Sequence, residues 1–337
     1  MQASAPSGPL LQVAGLKRYF GSGRDASEHN TIKAVEDVSF QVRGGETLGL
    51  VGESGCGKST TGRMIVGLEQ PTAGAIAFRG QDLAGLSSKE WRAKRRDLQI
   101  IFQNPQSALD PRLSIRRQIR EPLDLHRIGT PSEREAAVTE LMEAVSLPSE
   151  LGDRFPHEIS GGQAQRVVIA RALTLKPSLI VCDEPVSALD VSVQAKVIAL
   201  LEELQARLGV SYLFISHDLR VVKMLCHRVA VMYLGQIVEE GLTDNLYDEP
   251  LHPYTKALLS AIPDISMASH RRASRRIVLQ GDPPSPANPP TGCHFHTRCP
   301  FARERCRHEM PILRTIAGEA ATRKARCHFA EELKVAS

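Results

Sequence analysis

The stretch Thr47-Leu-Gly-Leu-Val51 followed by Gly52-Glu-Ser-Gly-Cys-Gly-Lys-Ser59 decides the fold. Five small or apolar residues read as a buried strand, and the glycine-rich segment after them fills every fixed position of the P-loop pattern. A helix is expected to begin near Lys58. In such a strand–loop–helix the glycines let backbone N–H groups wrap phosphate oxygens, and the helix N-terminus adds partial positive charge. Lys58 is placed to reach β and γ phosphates, and the Ser59 hydroxyl to ligate Mg²⁺. Gly52, Glu53, Ser54, Gly55, Cys56, Gly57, Lys58, Ser59 and Thr60 are therefore the candidate contacts of ATP, with Cys56 read as a small filler.

Working outward, the whole chain of 337 residues exceeds one ordinary domain and suggests a main α/β domain with a tail. Its 42% hydrophobic and 24% charged residues suit a folded protein with an ample core and exclude disorder throughout. The longest uncharged apolar runs, such as Leu208–Ser216, are far short of the roughly 18 residues a spanning helix needs. Met1–Leu16 lacks the order of a signal peptide, so a cytosolic setting without disulfides is expected. The net charge of +4 is small, and the clusters Arg92–Arg96 and Arg271–Arg276 are interrupted. They read as solvated surface, with no nucleic-acid partner.

From Leu10 to Glu240 apolar runs alternate with helical patterns, as in an α/β sheet. Thr47–Val51, Leu179–Cys182 and Tyr212–Ile215 are the clearest buried strands. Ser132 and Glu135 form a capping-box pattern ahead of Val138, Leu141, Met142 and Val145 at helical spacing, and Pro148 ends that helix. After about Ile265 the pattern gives way to a basic run and to Asp282–Pro290, five of whose nine residues are proline. This stretch reads as a linker or extended arm. Beyond it, Gly292–Phe329 holds four of the seven cysteines.

A nucleotide site needs a further acid for Mg²⁺, and Asp183 at the end of Leu179–Asp183 supplies it. Glu184 follows at once and points elsewhere, so it is the candidate to activate or position the attacking water. Many unrelated proteins share these two elements. Ile159-Ser-Gly-Gly-Gln-Ala-Gln-Arg166, shortly before the acidic strand, separates them, because with the P-loop and Asp183-Glu184 it resembles the signature of the ABC ATPase family. The resemblance extends to Gln103 in Ile100–Pro105, to the turn Ser187–Asp190, and to His217.

What the resemblance implies is a P-loop ABC ATPase fold: a RecA-like core, an antiparallel β-subdomain, and a helical subdomain inserted at about residues 111–160. It implies a head-to-tail pair of ATPase subunits in which Ser160, Gly161, Gly162 and Gln163 complete the partner's ATP site. Gln103 is implied near Mg²⁺ and the water, His217 at the γ-phosphate and the catalytic Glu184, and Ser187 and Asp190 in the loop between subunits. Phe20 is chosen to stack on adenine, with Tyr19 as the alternative. Ile159 and Ala164 depart from the commonest family residues, and no catalytic position is lost.

Tyr233–Gly241, His252–Leu259, Gly281–Pro286 and Gly292–Pro300 resemble the oligopeptide/dipeptide importer ATPases, the F-type subunit more than its D-type partner. The implied division is an ATPase domain over 1–265 and a transporter tail over 266–337. The implied partners are a second, D-type ATPase subunit, two membrane permeases and an extracytoplasmic peptide-binding protein, with this chain peripheral on the cytoplasmic face of the membrane. Related cargoes are glutathione and nickel. A soluble ABC ATPase would carry coiled-coil insertions or two ATPase halves, and an inactive regulator would lack Lys58, Asp183, Glu184 or His217; neither pattern is present.

Cys293, Cys299, Cys306 and Cys327 are separated by five, six and twenty residues. Four thiolates satisfy zinc or an iron–sulfur cluster, and these spacings select neither. The choice of a [4Fe-4S] cluster over Zn²⁺ rests on the resemblance, in a structural role that staples the tail. His294, His296, His308 and His328 beside them are read as surface residues or substitute ligands.

Overall fold

The computed structural model describes residues 8–21, 31–262 and 277–335, so the run Arg271–Arg276 and the boundary expected near residue 265 lie outside the described residues. In chain order the strands are β1 (Leu11–Phe20), β2 (Ile32–Val42), β3 (Thr47–Val51), β4 (Ala73–Phe78), β5 (Gln81–Asp82), β6 (Leu98–Ile101), β7 (Leu179–Asp183), β8 (Ser211–Ser216), β9 (Arg228–Tyr233), β10 (Gln236–Leu242), β11 (Arg314–Thr315) and β12 (Lys324–Ala325). The helices are α1 (Lys58–Ile65), α2 (Ser88–Lys94), α3 (Ile115–His126), α4 (Pro131–Ala144), α5 (Gly161–Leu173), α6 (Val191–Leu208), α7 (Leu219–Leu225), α8 (Thr243–Asp248), α9 (Pro253–Ser260), α10 (Glu304–His308) and α11 (Ala330–Val335). Packing divides the chain into two units, one of residues 1–41, 48–84 and 216–337, the other of residues 42–47 and 85–215.

The first unit holds the antiparallel sheet β2-β1-β4-β5. Its first strand begins in alternation, with Leu11 and Val13 buried as a sheet with one covered face requires, and an irregularity between Ala14 and Lys17 moves the next buried side chain to Leu16. A second run of strands, in order β3-β9-β10-β12-β11, carries the P-loop at the end of β3. β3 lies parallel to β9, Leu48 opposite Arg228. The chain then doubles back into β10 through Leu234 and Gly235, whose φ angles of 43° and 78° suit a tight two-residue hairpin. The tail closes this run: β12 pairs antiparallel with β10, Ala325 opposite Glu239, and β11 pairs with β12.

In the second unit β6, β7 and β8 are parallel, Leu98 opposite Leu179 and Leu179 opposite Ser211. All five residues of β7 are buried, each large apolar side chain there contributing roughly 1.5–3 kcal/mol. The three strands expected from their apolar runs thus occur within a residue of the expected ends. The helix expected after Ser132 is α4, and its capping box is Thr130 with Glu133 rather than Ser132 with Glu135. Pro131 decides the register, because a proline without an N–H is accommodated at the first helical position. Glu135 instead binds Arg120 of α3. The helix ends at Ala144, before Pro148.

Candidate functional site

The P-loop bends through backbone conformations that only glycine adopts at ease. Gly52 has φ 155° and Gly57 φ 104°, and a Cβ on either would lie 2.1 Å from a carbonyl oxygen, that of Met232 or Ala34. Both glycines are therefore required by close approach of neighbouring backbone. Gly57 is also the N-cap of α1 and accepts at 3.0 Å from the Thr61 hydroxyl. Lys58 is 4% exposed, and its Nζ donates to the carbonyls of Gly52 and Glu53, each at 2.9 Å. Cys56 is buried with its thiol pushed up in pKa by that burial, which suits an inert filler. Ser59 and Thr60 open α1 and are half-buried.

Two side chains that the sequence did not single out hold this loop within the first unit. The Tyr254 hydroxyl accepts from the Glu53 N–H at 2.9 Å. Arg298 grips the Glu53 carboxylate through two hydrogen bonds of 2.9 and 3.2 Å. Both lie in stretches noted for resemblance, but a contact across 245 residues leaves no mark in local spacing. Tyr19 and Phe20 end β1 half-buried; the Arg18 guanidinium lies 4.4 Å from the Phe20 ring centroid, and Lys33 Nζ 5.8 Å from that of Tyr19. His217 is exposed beside Asp218, which caps α7.

In the second unit Asp183, 4% exposed, ends β7. Glu184 takes φ 49°, a left-handed conformation uncommon for a non-glycine residue. That turn is fixed by the Glu184 N–H donating to Ile215 O (3.0 Å) and by Ser187 donating to Glu184 O from its N–H and its hydroxyl (3.3 and 3.1 Å). The carboxylate accepts from Gln103 Nε2 at 2.9 Å. The structure thus joins Gln103 and Glu184, and puts Asp183 one residue away. Ser160 caps α5 in a reciprocal box with Gln163. A Cβ on Gly162 would fall 2.7 Å from Val193 of α6, whose own cap is Asp190, accepting from the N–H groups of Ser192 and Val193. Ser187 and Asp190 therefore have local roles in holding the turn and the helix.

The four tail cysteines line one cavity of about 20 Å³, room for a single water, with Phe295, Phe301, Phe329 and Leu333 around them. Burial pushes the Cys293 thiol up to about 11 and that of Cys299 up to about 12, and raises Cys327 as well. Gly292, at φ 64°, permits the Cys293 N–H to reach Cys306 O at 2.8 Å. Among the described residues no three His, Cys, Asp or Glu side chains are grouped as ligands of one metal ion. The ligand set expected from the sequence is present as a shared cavity, and not as a formed metal centre. The histidines are otherwise engaged: His296 Nδ1 meets Cys293 O at 2.9 Å, His308 meets Glu304 at 2.7 Å, and His328 meets Glu309 O at 3.0 Å. His294 is buried.

The model of the ABC transporter family matches residues 35–187, and that of the oligopeptide/dipeptide transporter C-terminal region matches residues 238–306. The oligopeptide transport ATP-binding protein AppF of Bacillus subtilis is 51% identical over 91% of this chain and 94% of its own. The chain belongs to the ATP-binding subunits of the oligopeptide/dipeptide ABC transporter family. Solved structures agree with an ABC ATPase. The dimeric ATP-binding cassette MJ0796 bound to ADP and Pi superposes with TM-score 0.62 and 27% identity, covering 69% of this chain and 98% of its own. CbiO1 of Clostridium perfringens, part of the CbiONQ transporter complex, gives 0.63 and 26%, covering 72% and 91%. No helix among the described residues is long and apolar enough to cross a membrane.

Proposed function

We propose that this ABC ATPase drives uptake of di- and oligopeptides through two partner permeases, peptide being delivered by an extracytoplasmic binding protein. It works at the cytoplasmic face of the membrane as the F-type member of a pair with a D-type ATPase. The observation that carries this reading is the presence in one chain of the ABC transporter match and of the peptide-transporter C-terminal match. The test is co-purification with the permeases and measurement of ATP hydrolysis with peptides, glutathione and nickel supplied in turn. Peptide stimulation is expected; stimulation by glutathione or nickel alone overturns the cargo.

On this reading the P-loop N–H groups take the phosphates, and Lys58 leaves the carbonyls of Gly52 and Glu53 to bind the β and γ oxygens. Ser59, Asp183 and Gln103 would hold Mg²⁺, which would supply positive charge against the phosphates. Glu184 accepts a proton from the attacking water, held in place by Gln103 and by its own fixed turn. His217 meets the γ-phosphate, and Phe20 or Tyr19 the adenine. The exposed Ser160, Gly161 and the turn to Gln163 present a helix N-terminus to the partner's ATP. Ser160→Ala in one subunit of a mixed pair is expected to lower hydrolysis at the other subunit's P-loop; a defect confined to its own P-loop refutes the trans arrangement.

Cys293, Cys299, Cys306 and Cys327 are proposed as ligands of a [4Fe-4S] cluster, with Zn²⁺ the alternative. What supports this is the donor chemistry: four thiols on one apolar cavity, where burial makes those of Cys293, Cys299 and Cys327 costly to ionise unless a metal takes the thiolate. The four thiolates would hold the cluster and, through it, staple the tail. Admitting the cluster requires the side chains to open the cavity. Protein purified without oxygen is expected to be brown and to contain iron and acid-labile sulfide in equal amounts. Colourless protein with stoichiometric zinc replaces iron with zinc.

A further inference from the structure

The P-loop is gripped from outside at its second residue. Glu53 is fixed through its N–H by Tyr254 and through its carboxylate by Arg298, and the carbonyl of the same residue holds Lys58 Nζ. The ion pair is no surface contact: the Arg298 side chain is 8% exposed and that of Glu53 27%. The guanidinium stands 5.9 Å from the centroid of Tyr233. Arg298 is itself held by the tail, its N–H donating to the carbonyl of Phe295 at 3.0 Å. Phe295, 1% exposed, packs its ring 5.2 Å from that of Tyr233 and 5.4 Å from that of Tyr254.

A carboxylate beside a triphosphate repels it unless its charge is met. Arg298 meets that charge with a two-pronged fork, which a lysine cannot reproduce. We propose that Arg298 is a positioning residue for ATP: the tail, through Arg298, fixes the first turn of the P-loop and neutralises Glu53, so that nucleotide affinity depends on the docked tail. Arg298 acts through Glu53 and does not touch phosphate. Lys58 remains the cation for that purpose.

The experiment titrates the full-length chain with a fluorescent ATP analogue and measures KM and kcat for ATP. Arg298→Ala is expected to weaken binding about tenfold and to raise KM with kcat little changed, because uniform binding is lost. Glu53→Gln added to Arg298→Ala removes the unopposed charge and is expected to recover most of the affinity. A merely structural arginine would give no such recovery. Unchanged affinity in Arg298→Ala, or a double variant weaker than Arg298→Ala, overturns the proposal. Should the alanine variant fail to fold, Arg298→Met keeps the volume without the charge and is read in the same way. Failure of the unaltered chain to bind ATP would strike at the ATPase itself, so the two outcomes are distinct.

Discussion

Glu184→Gln is expected to lower steady-state ATP hydrolysis at least about a hundredfold while leaving ATP binding within a few-fold of the unaltered chain. General-base contributions are on the order of 10²–10⁴. Turnover is removed because an amide cannot accept the water's proton. The surroundings survive the change: the left-handed turn at Glu184 is fixed by backbone bonds to Ile215 and Ser187, which the side chain does not make. The Gln103 amide still finds a carbonyl oxygen in place of the carboxylate. Phosphate release and nucleotide titration on the same preparation check both halves, and turnover near that of the unaltered chain removes Glu184 from the catalytic role. Lys58→Ala should do the opposite, losing affinity first, since on the proposed reading the charge it removes is the one that binds the β and γ phosphates.

The second large effect is on stability. Glu239 is fully buried and accepts from the N–H groups of Leu251 and His252 at 2.8 and 2.9 Å, with Arg323 of the tail at 3.1 Å. Arg323 is 2% exposed. Removing one partner of such a pair costs about 3–5 kcal/mol, because the carboxyl left buried without its counterion must either stay charged or take up a proton to fold. Arg323→Ala is expected to lose that much in urea unfolding monitored by circular dichroism. The loss has a pH sign. Burial already pushes the Glu239 carboxyl up, and Arg323 is the main influence pulling it back. Without Arg323 the folded chain holds a proton that the unfolded chain has released. Stability of the variant is then greatest below the unfolded carboxyl pKa of about 4.3 and falls as pH rises through the higher folded value. A loss under about 1 kcal/mol that is flat with pH would show that the pair contributes little.

These two sites were legible to different degrees. Asp183 and Glu184 could be read because an apolar run ends in acids after an intact P-loop, and each step is local. Gly52 and Gly57 could be read as required, although the carbonyls they clear, of Met232 and Ala34, could not. The cap of α4 was misread since Thr130–Glu133 and Ser132–Glu135 have the same spacing, and only Pro131 distinguishes them. The tail was read as a small region needing a metal staple, because its contacts are remote: Phe295 against Tyr233 and Tyr254, Arg298 on Glu53, Arg323 on Glu239. The strands β11 and β12, two residues each, are too short to show any alternation.

The pairing of β12 with β10 bears on more than anchoring. A strand whose N–H and C=O groups face outward is a template for another chain, and β10, six of whose seven residues are buried, would be such a strand if it were last in its row. Lys324 and Ala325 occupy that margin, and β11, beyond them, offers only two residues to any newcomer. The tail thus acts as a selvage, finishing the sheet so that it neither frays nor catches on its neighbours. A cassette cut from this chain to a shorter relative's length would keep its P-loop and lose its hem.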